Sequence, residues 1–308
     1  MASVVYATAA LDGLVELSGT ACCMGVFDGV HLGHRALIDE LERDALRLGC
    51  PAVVITFDKD PDELFRKDQL RKIQSNEDRI AELARLDVAS VVVLPFTPDF
   101  AALSPDDFLN RVFGPNKPLS LRVGVNFRFG SRAAGTTDYL VEWGAGHGMG
   151  VHVQDLLEID GLPVSATRIR ALLQEGDLEQ ANSLMGRPFY LRGAVETGRG
   201  EGREMGFRTA NMTFDAQHQV LADGVYAAWA HVGDGRYKAA VSMGVSPTFE
   251  QTATATCEVH ILDFDRDIYG ETIKIEFVHR LRAMKKFDDI DELIRTVMGD
   301  IAWVRENL

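Results

Sequence analysis

From about residue 20 to residue 185, short apolar runs alternate with longer segments whose apolar residues recur every three or four positions. ACCMGVF and PAVVITF predict buried strands, and SVVVLPF, LSLRVGV and GVHVQDLLEI predict three more. Between them HRALIDELERDALRLG predicts a helix with Leu37, Leu41, Ala45 and Leu48 on one face and Gly49 as its stop. SNEDRIAELARL predicts a second helix capped by Ser75 or Asn76, and SPDDFLNRVF a third, with Ser104 as cap and Pro105 in its first turn. Strands and helices in alternation imply a parallel sheet covered on both sides. QEGDLEQANSLMGRP reads as a helical linker, and near residue 186 the pattern changes. The segments after GRPFYLRGAVETG, namely FDAQHQVLADGVYAAWAHVG, GRYKAAVSMGV, ATATCEVHILDF and ETIKIEFVHRL, are short and β-rich, with ADG, GDG and DRDIYG as turns and no helices between them. They predict an antiparallel barrel, closed by a helix after Asp288 that carries Ile290, Ile294, Val297, Ile301 and Val304 on one stripe. The expected fold class is α/β, with a parallel-sheet domain over residues 1–185 and a β-barrel domain over residues 186–308.

A chain of 308 residues is long enough for those two cores. Its 46 acidic against 32 basic residues give a net charge of −14, which repels a nucleic-acid backbone and argues against such a partner. No apolar run approaches the roughly 20 residues of a membrane span. The N-terminus lacks a basic stretch and carries acids within its first 16 residues, so the expectation is a cytoplasmic protein without a signal peptide. Cys22, Cys23, Cys50 and Cys257 show no metal or redox spacing and read as structural. The sequence leaves the oligomeric state open.

The most informative stretch is GVFDGVHLGH, residues 25–34. A buried strand runs into a turn holding Gly29 and Gly33, and a helix starts at once, which puts backbone N–H groups and the positive helix end at the sheet's carboxyl edge, where phosphates bind. His31 and His34 lie three apart across the turn, so both can donate to one phosphate chain as negative charge builds on it. The plainer alternative is a glycine turn with two surface histidines. In SATRIR, Ser165 is placed to cap a helix, and Arg168 and Arg170 can meet phosphate oxygens or simply face water. In GRGEGREMGFRTAN, Gly198, Gly200, Gly202 and Gly206 form a run able to wrap phosphates, or an ordinary loop; the oxygens of Thr209 and Asn211 suit Mg²⁺ shared with ATP. In ATCEVHIL, alternation puts Glu258 and His260 on one face and Cys257, Val259 and Ile261 on the other, with Glu258 either solvated or functional.

These motifs, in order with LPFTPDFAALSPDDFLNRVF, VGVNFRFGSRAAGT, SPTF, CEVHILDFDRDIYG and IEFVHRLRAMKKFD, resemble the prokaryotic bifunctional riboflavin kinase/FMN adenylyltransferase (FAD synthetase) family over nearly the whole chain. The resemblance implies a Rossmann-like nucleotidyltransferase domain that converts FMN and ATP to FAD and pyrophosphate, and a riboflavin kinase-like barrel that makes FMN from riboflavin. It implies that His31 and His34 hold ATP phosphates, that Gly25, Phe27, Asp28 and Gly33 shape the nucleotide loop, and that Arg168 neutralises the triphosphate. Asn126 and Arg128 then belong to the flavin side, Gly200 and Gly206 to the kinase phosphate loop, Thr209 and Asn211 to Mg²⁺, and Glu258 is the general base. The substrates implied are ATP, FMN and riboflavin. Four positions depart from the family pattern. Asp60 (beside Lys59) replaces a histidine, Ala166 a serine, Arg208 a proline and Ser246 an arginine. Asp60 is expected to repel the FMN phosphate unless Lys59 or a metal offsets it. The alternatives are that only one half is active, or that the chain is an inert flavin- or nucleotide-binding regulator.

Overall fold

The computed structural model describes residues 1–7, 16–65, 71–114, 116–197, 208–214, 221–244 and 256–308. Gly198, Gly200, Gly202, Gly206 and Ser246 lie outside the described residues. Backbone contacts divide the chain into two compact units, one of Met1–Leu70 and Ser75–Ala166, the other of Arg71–Gln74 and Thr167–Leu308. Much of residues 167–185, placed in the first domain from the sequence pattern, is helical and groups with the second unit.

The first unit contains β1 (Ser3–Tyr6), β2 (Ala21–Met24), β3 (Ala52–Phe57), β4 (Ser90–Leu94), β5 (Ser120–Gly124) and β6 (Gly150–Gln154), followed by a short hairpin of β7 (Glu158–Ile159) and β8 (Leu162–Pro163). The six main strands form one parallel sheet in the order β1-β4-β3-β2-β5-β6. Its helices are α1 (Leu32–Leu48), α2 (Pro61–Phe65), α3 (Asn76–Leu83), α4 (Pro98–Ala101), α5 (Pro105–Phe113) and α6 (Thr137–His147). Alternate strand residues feed two separate cores. Cys22, Met24, Val53, Ile55 and Val123 pack with Phe108, Leu109, Leu140 and Trp143 on one face. Ala21, Cys23, Val54 and Val93 pack with Leu37, Ile38, Leu41, Ile80 and Leu83 on the other. Each fully buried Leu or Ile contributes about 1.5–3 kcal/mol, so the row Leu37, Ile38 and Leu41 suffices to dock α1. The expected caps are present: the Ser75 and Ser104 side chains accept from the Asp78 and Asp107 N–H groups, and Gly49 ends α1 in the left-handed conformation. Leu48, expected on the buried stripe, is 43% exposed. Burial pushes the Cys22 thiol up to about 12, in keeping with its structural reading.

Helices α7 (Ala166–Glu175) and α8 (Leu178–Met185) precede the barrel, which closes through β9 (Phe189–Glu196), β10 (Ala210–Thr213), β11 (Gly224–Val232), β12 (Gly235–Gly244), β13 (Thr256–Ile261) and β14 (Thr272–Arg282) in the order β10-β13-β12-β11-β14-β9. All neighbouring pairs are antiparallel. The last helix, α9 (Ile290–Asn307), sets Ile301 and Val304 on Ala227, Ala240 and Leu262, where the two alanines leave room for it. Its predicted stripe is buried only toward the C-terminal end, and Ile290 is exposed. Among the described residues no helix is long and apolar enough to cross a membrane.

Candidate functional site

In the parallel sheet β1, β4 and β3 lie to one side of β2, and β5 and β6 to the other. The crevice at the carboxyl ends of β2 and β5 is therefore the topological switch point, where open α/β sheets take ligands. The loop leaving β2 carries residues 25–31 into α1, and the loop leaving β5 carries Asn126 and Arg128. The topology thus puts two groups of predicted residues, distant in sequence, on one crevice.

The β2 loop is strained. Phe27 (φ 62°) and Val30 (φ 40°) both take left-handed backbone, which is unfavourable for a β-branched residue such as Val30. Both side chains are buried, and that anchoring holds the turn. A Cβ on Gly25 would lie 3.0 Å from the Phe27 ring; one on Gly33 would lie 3.0 Å from the Val164 carbonyl oxygen. Glycine at 33 thus lets the segment leading to Ser165 run against the first turn of α1. Asp28 is buried within the turn.

His31 is the N-cap of α1, and its Nδ1 accepts the His34 N–H at 3.4 Å. An accepting Nδ1 leaves Nε2 as the donor of the neutral ring. The His34 ring stacks on His31 at 3.6 Å between centroids and meets Phe27 edge-on at 5.2 Å. Burial holds the His34 imidazole well below the ordinary histidine range, and His31 and Arg79 push it the same way. Its Nδ1 is enclosed without a hydrogen-bond partner. The two rings are thus stacked and largely removed from water, and not two surface histidines.

Arg79, to which the sequence reading assigned no role, is 1% exposed beneath this loop. Its Nη1 donates to the Val26 carbonyl at 2.7 Å and the Thr56 hydroxyl at 2.6 Å; its Nη2 donates to the Phe57 carbonyl at 2.7 Å and the Asn76 Oδ1 at 3.2 Å. The signal was present in the sequence: Arg79 precedes Leu83 by one helical turn, so a cation sits on the apolar face of α3. Asp60 is also engaged. Its Oδ1 accepts the Asp62 N–H at 2.9 Å and its own N–H donates to Glu63 at 2.8 Å, a capping box at the start of α2. Burial raises the Asp60 carboxyl, and the cation that acts on it is Arg79 instead of Lys59.

Asn126 and Arg128 are exposed, with Arg128 donating to the Phe127 carbonyl at 3.1 Å. Ser165 is half-buried immediately before α7. Arg168 and Arg170 are half-buried on α7 and group with the second unit.

In the barrel, alternation is as expected: Cys257, Val259 and Ile261 face the core, and Glu258 and His260 are half-buried on the other face. Asn211 lies on β10, a strand that the sequence pattern does not mark. Register places Asn211 opposite Glu258 on β13 and opposite Glu196 on β9, while Ser242 on β12 faces Glu258 from the other side. Glu196, Asn211, Glu258 and Ser242 thus form one lateral row across four strands, with half-buried Thr209 just before β10. Arg208, in place of the expected proline, pairs with Asp265, and its carbonyl lies 2.8 Å from His260 Nδ1. Among the described residues no group of three or more His, Cys, Asp or Glu is arranged to hold a metal ion.

The chain matches the FAD synthetase family model over residues 15–168 and the riboflavin kinase family model over residues 185–308. A bifunctional riboflavin kinase/FMN adenylyltransferase of Bacillus subtilis (strain 168) is 33% identical over 290 residues, covering 92% of this chain and 91% of that protein. The protein of the same description from Pseudomonas fluorescens is 31% identical, covering 94% and 93%. A solved structure described as a macrolide-efflux protein from Streptococcus pneumoniae shares the fold, with a TM-score of 0.87 and 29% identity over 99% of both chains. With both family models in order along it and relatives above 30% identity over nine-tenths of its length, the chain belongs to the bifunctional riboflavin kinase/FMN adenylyltransferase family.

Proposed function

We propose that this protein makes FAD in two ATP-dependent steps, phosphorylating riboflavin in the barrel unit and adenylylating the resulting FMN in the parallel-sheet unit. The observation that carries the reading is the stacked, desolvated His31–His34 pair at the β2/β5 switch point. In the adenylyl step an FMN phosphate oxygen bonds to the α-phosphorus of ATP, the bond from that phosphorus to the bridging oxygen breaks, and pyrophosphate leaves with the electron pair. His31 Nε2 and the N–H groups at the start of α1 donate to the charge that develops, and no side-chain nucleophile is needed. Asn126 and Arg128 hold the flavin side.

In the kinase step Glu258 takes the proton of the ribityl hydroxyl as that oxygen bonds to the γ-phosphorus, and ADP leaves. The donor set suits Mg²⁺, since Thr209 and Asn211 offer neutral oxygens beside Glu258, and this ion prefers oxygen ligands and shared phosphate. Mg²⁺ there would draw charge off the phosphates, with Thr209 and Asn211 holding it. Incubation with riboflavin, ATP and Mg²⁺ yields FMN and then FAD; absence of both products overturns the reading. Feeding riboflavin and FMN separately tells a half-active chain from a bifunctional one, and tight flavin binding without turnover identifies an inert regulator.

A further inference from the structure

Val26 immediately precedes Phe27, the left-handed residue whose ring borders His34. Its carbonyl is held from two directions, by Arg79 Nη1 and by the Thr56 hydroxyl at 3.2 Å, and Arg79 also donates to that hydroxyl. The same guanidinium reaches Phe57 at the end of β3 and Asn76 at the start of α3. Two elements and the strained loop therefore meet on one planar fork, a geometry that a lysine ammonium does not reproduce. The carboxylates of Asp28, Asp58, Asp60 and Glu63 surround this cation, so it also offsets acid charge beneath a loop read as receiving a polyphosphate.

We propose that Arg79 is a positioning residue for adenylyl transfer, clamping the Val26 carbonyl to the ends of β3 and α3 and so setting the loop that receives the ATP triphosphate. The inference rests on the reading of this loop as the nucleotide site. When Val26 is released, Phe27 relaxes toward ordinary backbone, and the His31–His34 stack loses the wall against which it is set. Affinity for ATP falls, while the flavin side on the β5 loop, which Arg79 does not touch, keeps its own.

The test uses the full-length chain with Arg79→Lys, which keeps the charge and loses the fork, and Thr56→Val, which keeps the guanidinium and removes one of its acceptors. FAD formation is measured with ATP and FMN varied in turn, ATP binding by calorimetry, and riboflavin phosphorylation as an internal standard. Arg79→Lys is expected to raise KM and Kd for ATP about tenfold, and Thr56→Val about threefold, with KM for FMN and the phosphorylation rate within about twofold. A folded Arg79→Lys with unchanged KM and Kd for ATP overturns the proposal. So does a fall in kcat alone with both KM values intact, because that reports fewer folded molecules and not a displaced loop. If Arg79→Lys does not fold, Thr56→Val decides alone, and an unchanged KM for ATP sinks the clamp. Wild-type protein that binds ATP but makes no FAD overturns the functional reading, while weakened ATP binding in the variants still supports the clamp.

Discussion

The two candidate sites are built by opposite means. In the parallel-sheet unit the functional groups sit on a loop whose backbone is strained, whose side chains are buried and whose imidazole is driven from its ordinary protonation range. In the barrel, Asn211 and Glu258 are half-buried neighbours on regular strands, aligned by register alone. A loop site of the first kind depends on what packs beneath it; a strand site depends on the ladder staying in phase, since a one-residue slip would turn Glu258 into the core. The lesson is that the two candidate sites of one chain rest on scaffolds with different weaknesses.

The sharpest way to break the comparison is to disable each site in turn. His31→Ala is expected to cut FAD formation from FMN by at least about a hundredfold and leave FMN formation from riboflavin within twofold, while Glu258→Ala does the reverse by a similar factor. Product analysis with each flavin fed separately checks both, and two folded variants that each lose both activities would erase the division. A smaller effect comes from backbone crowding in the barrel. A Cβ at Gly193 would collide with the Thr213 carbonyl oxygen on β10, so Gly193→Ala costs about 1–3 kcal/mol of barrel stability in a denaturant titration.

Acid should separate the units. Unfolded, His34 titrates near 6.5, and in the native protein it does so well below that value, so the unfolded state binds the proton first. Stability of the sheet unit is therefore full above pH 6.5 and is lost as pH falls beneath it, by up to about 1.4 kcal/mol per pH unit until the native ring also titrates. His34→Gln is expected to remove this slope. In the barrel, burial raises Glu276, but hydrogen bonds and charges from Lys274 and His231 outweigh it and lower the carboxyl below 4.5. That contribution is present above pH 4.5 and is lost as pH falls below it. Trp143 reports on the sheet unit, and Trp229 and Trp303 on the barrel, so fluorescence melts of single-tryptophan variants resolve the two windows. The smallest expected change is at the exposed Arg266–Glu271 pair, 3.0 Å apart, where Arg266→Ala shifts the barrel midpoint by no more than about 1 kcal/mol.

Much of both folds was legible because burial on two faces writes long apolar runs, and capping residues such as Ser75 and Ser104 act within one turn. β1 was not legible: all four of its residues are exposed at the sheet edge, so no alternation marks it. α6 was hidden by Gly144 and Gly146, residues that disfavour helix; at Gly144 a Cβ would press on the Met149 carbonyl at 2.9 Å. β10 was read as loop because it follows a glycine run, and only pairing with β9 and β13 makes it a strand.

By itself, then, the sequence determined the two architectures, the strand-to-helix turn at His31 and His34, and the outward face of Glu258. All of these follow from local periodicity and from groups within a few residues of one another. Tertiary structure alone decided that the β2 and β5 loops share one crevice, that Arg79 holds Val26, that Arg79 instead of Lys59 acts on Asp60, and that Asn211 stands opposite Glu258. Those outcomes depend on strand order, register and the desolvation of charge. No local pattern encodes them, because the groups involved meet only when segments distant in the chain are packed together.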